Sequence, residues 1–201
     1  MRRTLFAGGL LLGAGIGLMS AVEAAEYVWD GGAGDGMWSS AANWDPDGTP
    51  GRDDTVTFKS TSGNAAVDAG FAGKVYKIVM EAGYAGTLTL ERSLIVGYEL
   101  NLAGGTFTCG ENDLQLGDPD AHASNYPGRF QQTGGVFNGP AGPATLYQKS
   151  PARAGCDWKV AGGTFNVAST TFSIWLYHNI NWTSIFQIDG QTFKSVRLED
   201  T

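Results

Sequence analysis

Apolar and polar positions in the second half of the chain repeat as one phrase around a glycine pair. It runs "LNLAGGTF" from Leu100, "FQQTGGVF" from Phe130, "WKVAGGTF" from Trp158 and "FQIDGQTF" from Phe186, with starting points 30, 28 and 28 residues apart. Aligned, the copies give columns. Leu100, Phe130, Trp158 and Phe186 are large and apolar, and Gly104, Gly134, Gly162 and Gly190 are invariant. Thr106, Val136, Thr164 and Thr192 are β-branched, and Phe107, Phe137, Phe165 and Phe193 are identical. Downstream, Leu116, Leu146 and Ile174 share one offset. A fixed period of this size predicts a stacked array in which each unit buries its apolar face against its neighbours.

Side chains alternate faces along a strand, so unbroken alternation would put Leu100 and Leu102 on one side and Phe107 on the other. All three have core character, so the chain must change direction at the glycines. Gln191 replaces the second glycine in the last copy, which leaves the first as the expected obligate corner. Two architectures satisfy this parity. The one we expect is an all-β fold, a parallel β-helix (β-solenoid) in which the phenylalanines form a ladder along the axis. The alternative is an antiparallel β-sandwich or meander in which each Gly-X pair is a hairpin turn. The hairpin explains the glycines but not the near-constant period.

The variable stretches "GDPDAHASNYPG" from Gly117 and "QKSPARAG" from Gln148 are rich in turn formers and are expected to leave one corner of the stack as loops. Cys109 falls in the column of Gly139 and Val167, whereas Cys156 falls with Tyr98 and Gly128, so two reduced thiols are expected rather than a bridge. Only "KSVRLEDT" follows Phe193, so the strand carrying the counterpart of Leu116 is expected to be missing. That implies either a chain that continues beyond Thr201 or an open end that pairs with another copy.

With 201 residues, 30 of them glycine, and charged residues at 16%, the composition suits one domain of short strands and tight turns. The net charge of -7, with no Lys/Arg cluster, argues against nucleic acid as a partner. Residues 1–24 read as a cleavable signal peptide: Arg2 and Arg3, an apolar run from Leu5 to Met19, then Val22 and Ala24 before the cut. An exported chain with no membrane span in its mature part follows. Residues 25–60 form a Trp-rich capping segment, and 61–201 the repeats.

The capping segment contains "YVWDGGAGDGMWSSAANWDPDGTPGRDDTVTF", which sets Trp29, Trp38 and Trp44 among Gly, Asp and Asn. With the "YAGTLTLERSLIVGYELNLAGGTF" that follows, it resembles the opening of secreted bacterial surface proteins with autotransporter-associated β-repeats. The motif is W-x-G-G, W, N-W, P-G and D in that order. The resemblance implies a right-handed parallel β-helix related to the pectin-lyase group and a structural or adhesive role without a catalytic centre. Three tryptophans beside an array are expected to cover its first coil. The alternative is an exposed platform that stacks on sugars.

Candidate chemistry is sparse. Carboxylates pair at Asp45 with Asp47, Asp53 with Asp54, Glu111 with Asp113, and Asp118 with Asp120, and all read as loop acids. Their spacing misses the calcium-loop pattern. His122 and His178 lack a nucleophile motif, two cysteines and two histidines make no recognisable metal set, and "GGAGDG" has Met37 where a dinucleotide loop needs its last glycine. Asn181-Trp182-Thr183 matches a glycosylation acceptor and is expected to be accidental. No catalytic, cofactor or metal residue is therefore assigned. The expected function is a secreted, non-enzymatic surface or matrix protein whose partners are surface polysaccharide or further copies of itself. A carbohydrate-binding or polysaccharide-degrading β-helix is the alternative.

Overall fold

The computed structural model describes residues 24–118, 128–150, 157–176, 185–187 and 195–200. In chain order its strands are β1 (Glu26–Trp29), β2 (Trp44–Asp45), β3 (Thr55–Phe58), β4 (Ala65–Val67), β5 (Lys74–Met80) and β6 (Thr87–Leu90). Then come β7 (Leu94–Leu102), β8 (Thr106–Thr108), β9 (Leu114–Leu116), β10 (Arg129–Gln132), β11 (Val136–Asn138) and β12 (Thr145–Ser150). The last are β13 (Asp157–Val160), β14 (Thr164–Asn166), β15 (Thr171–Leu176), β16 (Ile185–Gln187) and β17 (Ser195–Asp200). They wind into a parallel β-solenoid of about five turns. A small sheet runs β14-β11-β8-β6-β4, and a large sheet supplies the other two sides of each coil.

The repeat columns are physical stacks. Leu100 pairs with Phe130, Phe130 with Trp158 and Trp158 with Phe186, all in parallel register. Phe107, Phe137 and Phe165 superpose in the same way. Their rings stack with centroids 5.8 and 5.2 Å apart, and Phe130 lies on Trp158 at 4.6 Å. Each such ring pair contributes roughly 0.5 to 1.5 kcal/mol beyond its burial. The ladder also extends further toward the N-terminus than the glycine phrase. Val56 and Ile78 continue the Leu100 column, and Leu88 and Ala65 continue the phenylalanine column. Thr55, Lys77 and Glu99 stand in one column at intervals of 22 residues, so the early coils are shorter.

The cause of the longer period is one corner. In β7 the pairing with β9 ends at Val96 and the pairing with β10 begins at Glu99, so only Gly97 and Tyr98 separate the two sides of the coil. In later coils β9 ends at Leu116 and β12 at Ser150, and the next strands on the other side are β10 and β13. The stretches expected as loops from Gly117 and Gln148 fall between the same two sides of the coil, and residues 119–127 and 151–156 lie outside the described residues.

The parallel ladders exclude the hairpin alternative, since among the described strands only β1 and β2 pair antiparallel. Three expectations need correction. The first concerns the glycine pair. The second glycine makes the corner, with φ of +66°, +62° and +79° at Gly105, Gly135 and Gly163. The first is required by close packing: a Cβ on Gly134 would sit 2.2 Å from the Ala103 carbonyl oxygen of the coil below. The second concerns the downstream column. Leu146 pairs with Leu114 and Phe172, and the Leu116 and Ile174 column receives Gln148, because the turn before β12 is two residues longer than its neighbours. The third concerns β17. It pairs with β15, with Leu198 beside Ile174, so the strand expected to be missing is present.

Trp29, Trp38 and Trp44 are fully buried, which overturns the alternative of an exposed sugar platform. Trp44 packs edge-on against both, at 4.9 and 5.2 Å, and Trp38 contacts Phe58 and Phe71. The buried Asn43 amide holds this cluster: it accepts from Ala33 N at 2.8 Å and donates to Asp35 Oδ1 at 2.6 Å and Met37 O at 2.9 Å. Asp68 ties the cluster to the first coil through Ser39 N, Ser39 Oγ and Gly70 N. Burial pushes the Asp68 carboxyl up, but these bonds outweigh it and its pKa is lowered.

Two predictions follow from the packing. Gly134→Ala and Gly135→Ala each lower unfolding stability by about 2 to 4 kcal/mol in denaturant titration. Gly63→Ala, where a Cβ meets open space, stays within about 0.5 kcal/mol of the parent. Burial raises the Tyr84 hydroxyl from 10.0 to about 12. Its contribution is complete below the unfolded value and is lost as pH rises through the folded one. Stability therefore falls between about pH 10 and 12 by more in the parent than in Tyr84→Phe, read from denaturation midpoints across that range.

Candidate binding surfaces

The solenoid offers two outer surfaces of opposite chemistry. The large sheet carries charge. Lys77, Glu99, Arg129 and Asp157 stand in one outward column of alternating sign, with Lys77 Nζ 3.0 Å from Glu99 Oε1. At the nearby corner Asp118 is buried between Arg52, at 3.1 Å, and Lys74, at 3.6 Å. Beside it the Tyr76 and Tyr98 rings stack at 5.0 Å, 6° from parallel, and the Arg129 guanidinium lies over Tyr98. These contacts run from coil to coil, so the charges serve one another first.

The small sheet is neutral. Its outward columns read Thr87, Thr106, Val136, Thr164 and Ala66, Thr89, Thr108, Asn138, Asn166. Asn166 Nδ2 donates to Asn138 Oδ1 at 2.7 Å, and Asn138 Nδ2 donates to Thr108 Oγ1 at 3.2 Å, which makes a polar ladder. Near the tryptophan cluster this sheet borders a cavity of about 410 Å³ lined by Asp35, Gly36, Asn64, Ala65, Ala66, Thr87, Thr89 and Glu91. A second cavity, of about 360 Å³, is lined by Asn138, Asn166 and the turn after β14. Hydrogen bonds from Ser40, Met37 and Asn43 hold the Asp35 carboxyl below its ordinary pKa.

The carboxylates singled out by spacing are scattered into structural roles. Asp54 accepts from Ala25 N at 2.7 Å and Gly51 N at 2.7 Å, and Asp113 accepts from Thr145 N of the next coil at 2.8 Å. Asp45, Asp47, Asp53 and Glu111 are exposed. Asp120, His122, Cys156, His178, Asn181 and Phe193 lie outside the described residues. Cys109 is an unbridged, buried thiol whose pKa burial raises well above the ordinary value. Among the described residues no three His, Cys, Asp or Glu gather closely enough to hold a metal ion, and no helix is long and apolar enough to cross a membrane.

Spacing alone missed the buried amides. Gln132 and Gln148 occupy columns that otherwise carry apolar residues. Gln132 Nε2 donates to Thr164 O at 3.0 Å, while Gln148 Nε2 donates to Gly128 O and its oxygen accepts from Trp158 Nε1. Their one sequence signal is an amide at an inward position. No family model, curated protein or solved structure matches this chain.

Replacing Asp118 by Asn removes the negative charge that Arg52 and Lys74 share. Both keep access to water, so the expected loss is about 1 to 2 kcal/mol, below the cost of breaking a fully buried pair. Chemical denaturation of the variant at neutral pH checks this.

Proposed function

We propose that this chain is a secreted, non-catalytic component of a cell surface or extracellular matrix, in which stacked coils form a rigid scaffold for adhesion. One observation carries the reading: the carboxylates best placed for chemistry are occupied in construction. Asp68 and Asp113 join neighbouring turns, Asp54 holds the Ala25 and Gly51 amides, and Asp118 and Glu99 are paired with cations. The N-terminal signal-like segment supports export. The likeness of the tryptophan and glycine motifs to autotransporter-associated β-repeat proteins supports a bacterial surface setting.

A second reading, a polysaccharide-degrading β-helix, is favoured by one feature: Asp118 and Glu99 share the outer side of the large sheet with Arg52, Lys74, Lys77 and Arg129. The experiment that separates the two uses the chain from residue 25 onward. Coated on beads, it is expected to retain cells or cell-wall material. Incubated with acidic polysaccharides with and without Ca²⁺, it is expected to release no fragments. Robust turnover overturns the scaffold reading.

A further inference from the structure

The neutral face of the small sheet is the surface on which this scaffold has free recognition chemistry. Along it, residues spaced by two in one strand and by one coil between strands present hydroxyl, methyl and amide groups, with no ionisable side chain in either outward column. That neutrality contrasts with a chain of net charge -7 and with the charged column across the solenoid. Adjacent strands stand ~4.8 Å apart, so the columns form a straight, periodic track parallel to the axis.

Where the track meets the tryptophan cluster, Met37 stands beside Ala66 at its end. Ala66 replaces the threonine or asparagine of later coils and, with Gly36, leaves an open depression of about 410 Å³. The depression is open to solvent along the sheet rather than enclosed. The cavity walls combine the Asn64 amide, the Thr87 and Thr89 hydroxyls and the Asp35 and Glu91 carboxylates. Met37, bridged to Ala66 and 45% exposed, adds the one large exposed apolar side chain among the described residues. Hydroxyl-rich rings have donors for the carboxylates and amide, and apolar faces for methionine and alanine. The two carboxylates disfavour anionic polymers by like-charge repulsion.

We propose that this cleft is a binding site for one end of an uncharged polysaccharide, which continues along the Thr/Asn track of the small sheet. The proposal rests on the adhesive reading above and names its ligand class. A neutral chain loses no ion hydration on docking, and each threonine or asparagine offers a hydrogen bond at the repeat of the coils.

The test is affinity electrophoresis and co-sedimentation of the chain from residue 25 with neutral glucans, mannans and xylans, against polygalacturonate and alginate as acidic comparators. Binding of at least one neutral polymer and exclusion of the acidic ones is expected. Ala66→Trp fills the cleft and is expected to weaken that binding by about tenfold or more, equivalent to ~1.4 kcal/mol. Circular dichroism and melting report whether Ala66→Trp remains folded. Glu91→Gln, at an exposed position, weakens binding several-fold whatever that outcome. Thr106→Lys weakens binding of long chains while sparing oligosaccharides short enough to fill the cleft alone. Preference for acidic polymers, or parental binding by both Glu91→Gln and Thr106→Lys, overturns the proposal. Bead adhesion to cells with no neutral polymer bound overturns it while leaving the scaffold reading intact; loss of adhesion itself overturns the scaffold reading.

Discussion

Parallel hydrogen bonding between successive coils is the constraint from which the rest of this molecule follows. Once Phe130 N–H and C=O groups are committed to the Leu100 strand below and the Trp158 strand above, every side chain on those strands is fixed over its counterpart. A column must then be either wholly compatible with burial or wholly compatible with water. The glycine pair belongs to the same constraint. Ala103, Thr133 and Ala161 each donate to the coil below, at 2.8 to 3.0 Å, and this brings the next residue so close to the underlying carbonyl that a Cβ has no place.

That explains which parts of the fold were legible in the sequence. Columns built from type identity, such as Phe107, Phe137 and Phe165, carry a strong signal because aromatic stacking rewards repetition of one residue. Columns built only from burial are quieter. Ala65, Leu88 and Phe107 superpose in the structure, yet nothing in their identities announces it. The early coils also differ in length from the later ones, so a search at a period near 28 passes over them. The error at Leu146 has the same origin: a turn lengthened by two residues preserves strand parity, so the apolar pattern still fits while the partners change.

The glycine roles were misassigned for a different reason. One replacement, Gln191, marked the second position as dispensable, but a sequence does not distinguish a glycine needed for a positive φ from one needed for space. Gly135 needs the first, with φ +62°, and Gly134 the second. The tryptophan segment was legible as buried because three large aromatic side chains fall in one short stretch, whereas the Asn43 amide that Asp35, Met37 and Ala33 satisfy was not. A cleft between that cap and the small sheet was not legible, because Asp35 and Glu91 are 56 residues apart and carry no shared motif.

The two outer faces show how a fold with so rigid an interior leaves room for function. Register fixes where outward residues stand but not what they are. On the large sheet, alternation of Lys77, Glu99, Arg129 and Asp157 turns a column that would repel itself into one that attracts, and thereby consumes the charges. On the small sheet, hydroxyls and amides tolerate stacking without alternating, since each is both donor and acceptor and the ladder from Asn166 to Thr108 uses only part of that capacity. What remains is spaced by the backbone itself. A ligand whose own groups repeat along a line would meet such a surface many times at small cost per contact, whereas the charged column across the solenoid is already engaged in pairing between coils.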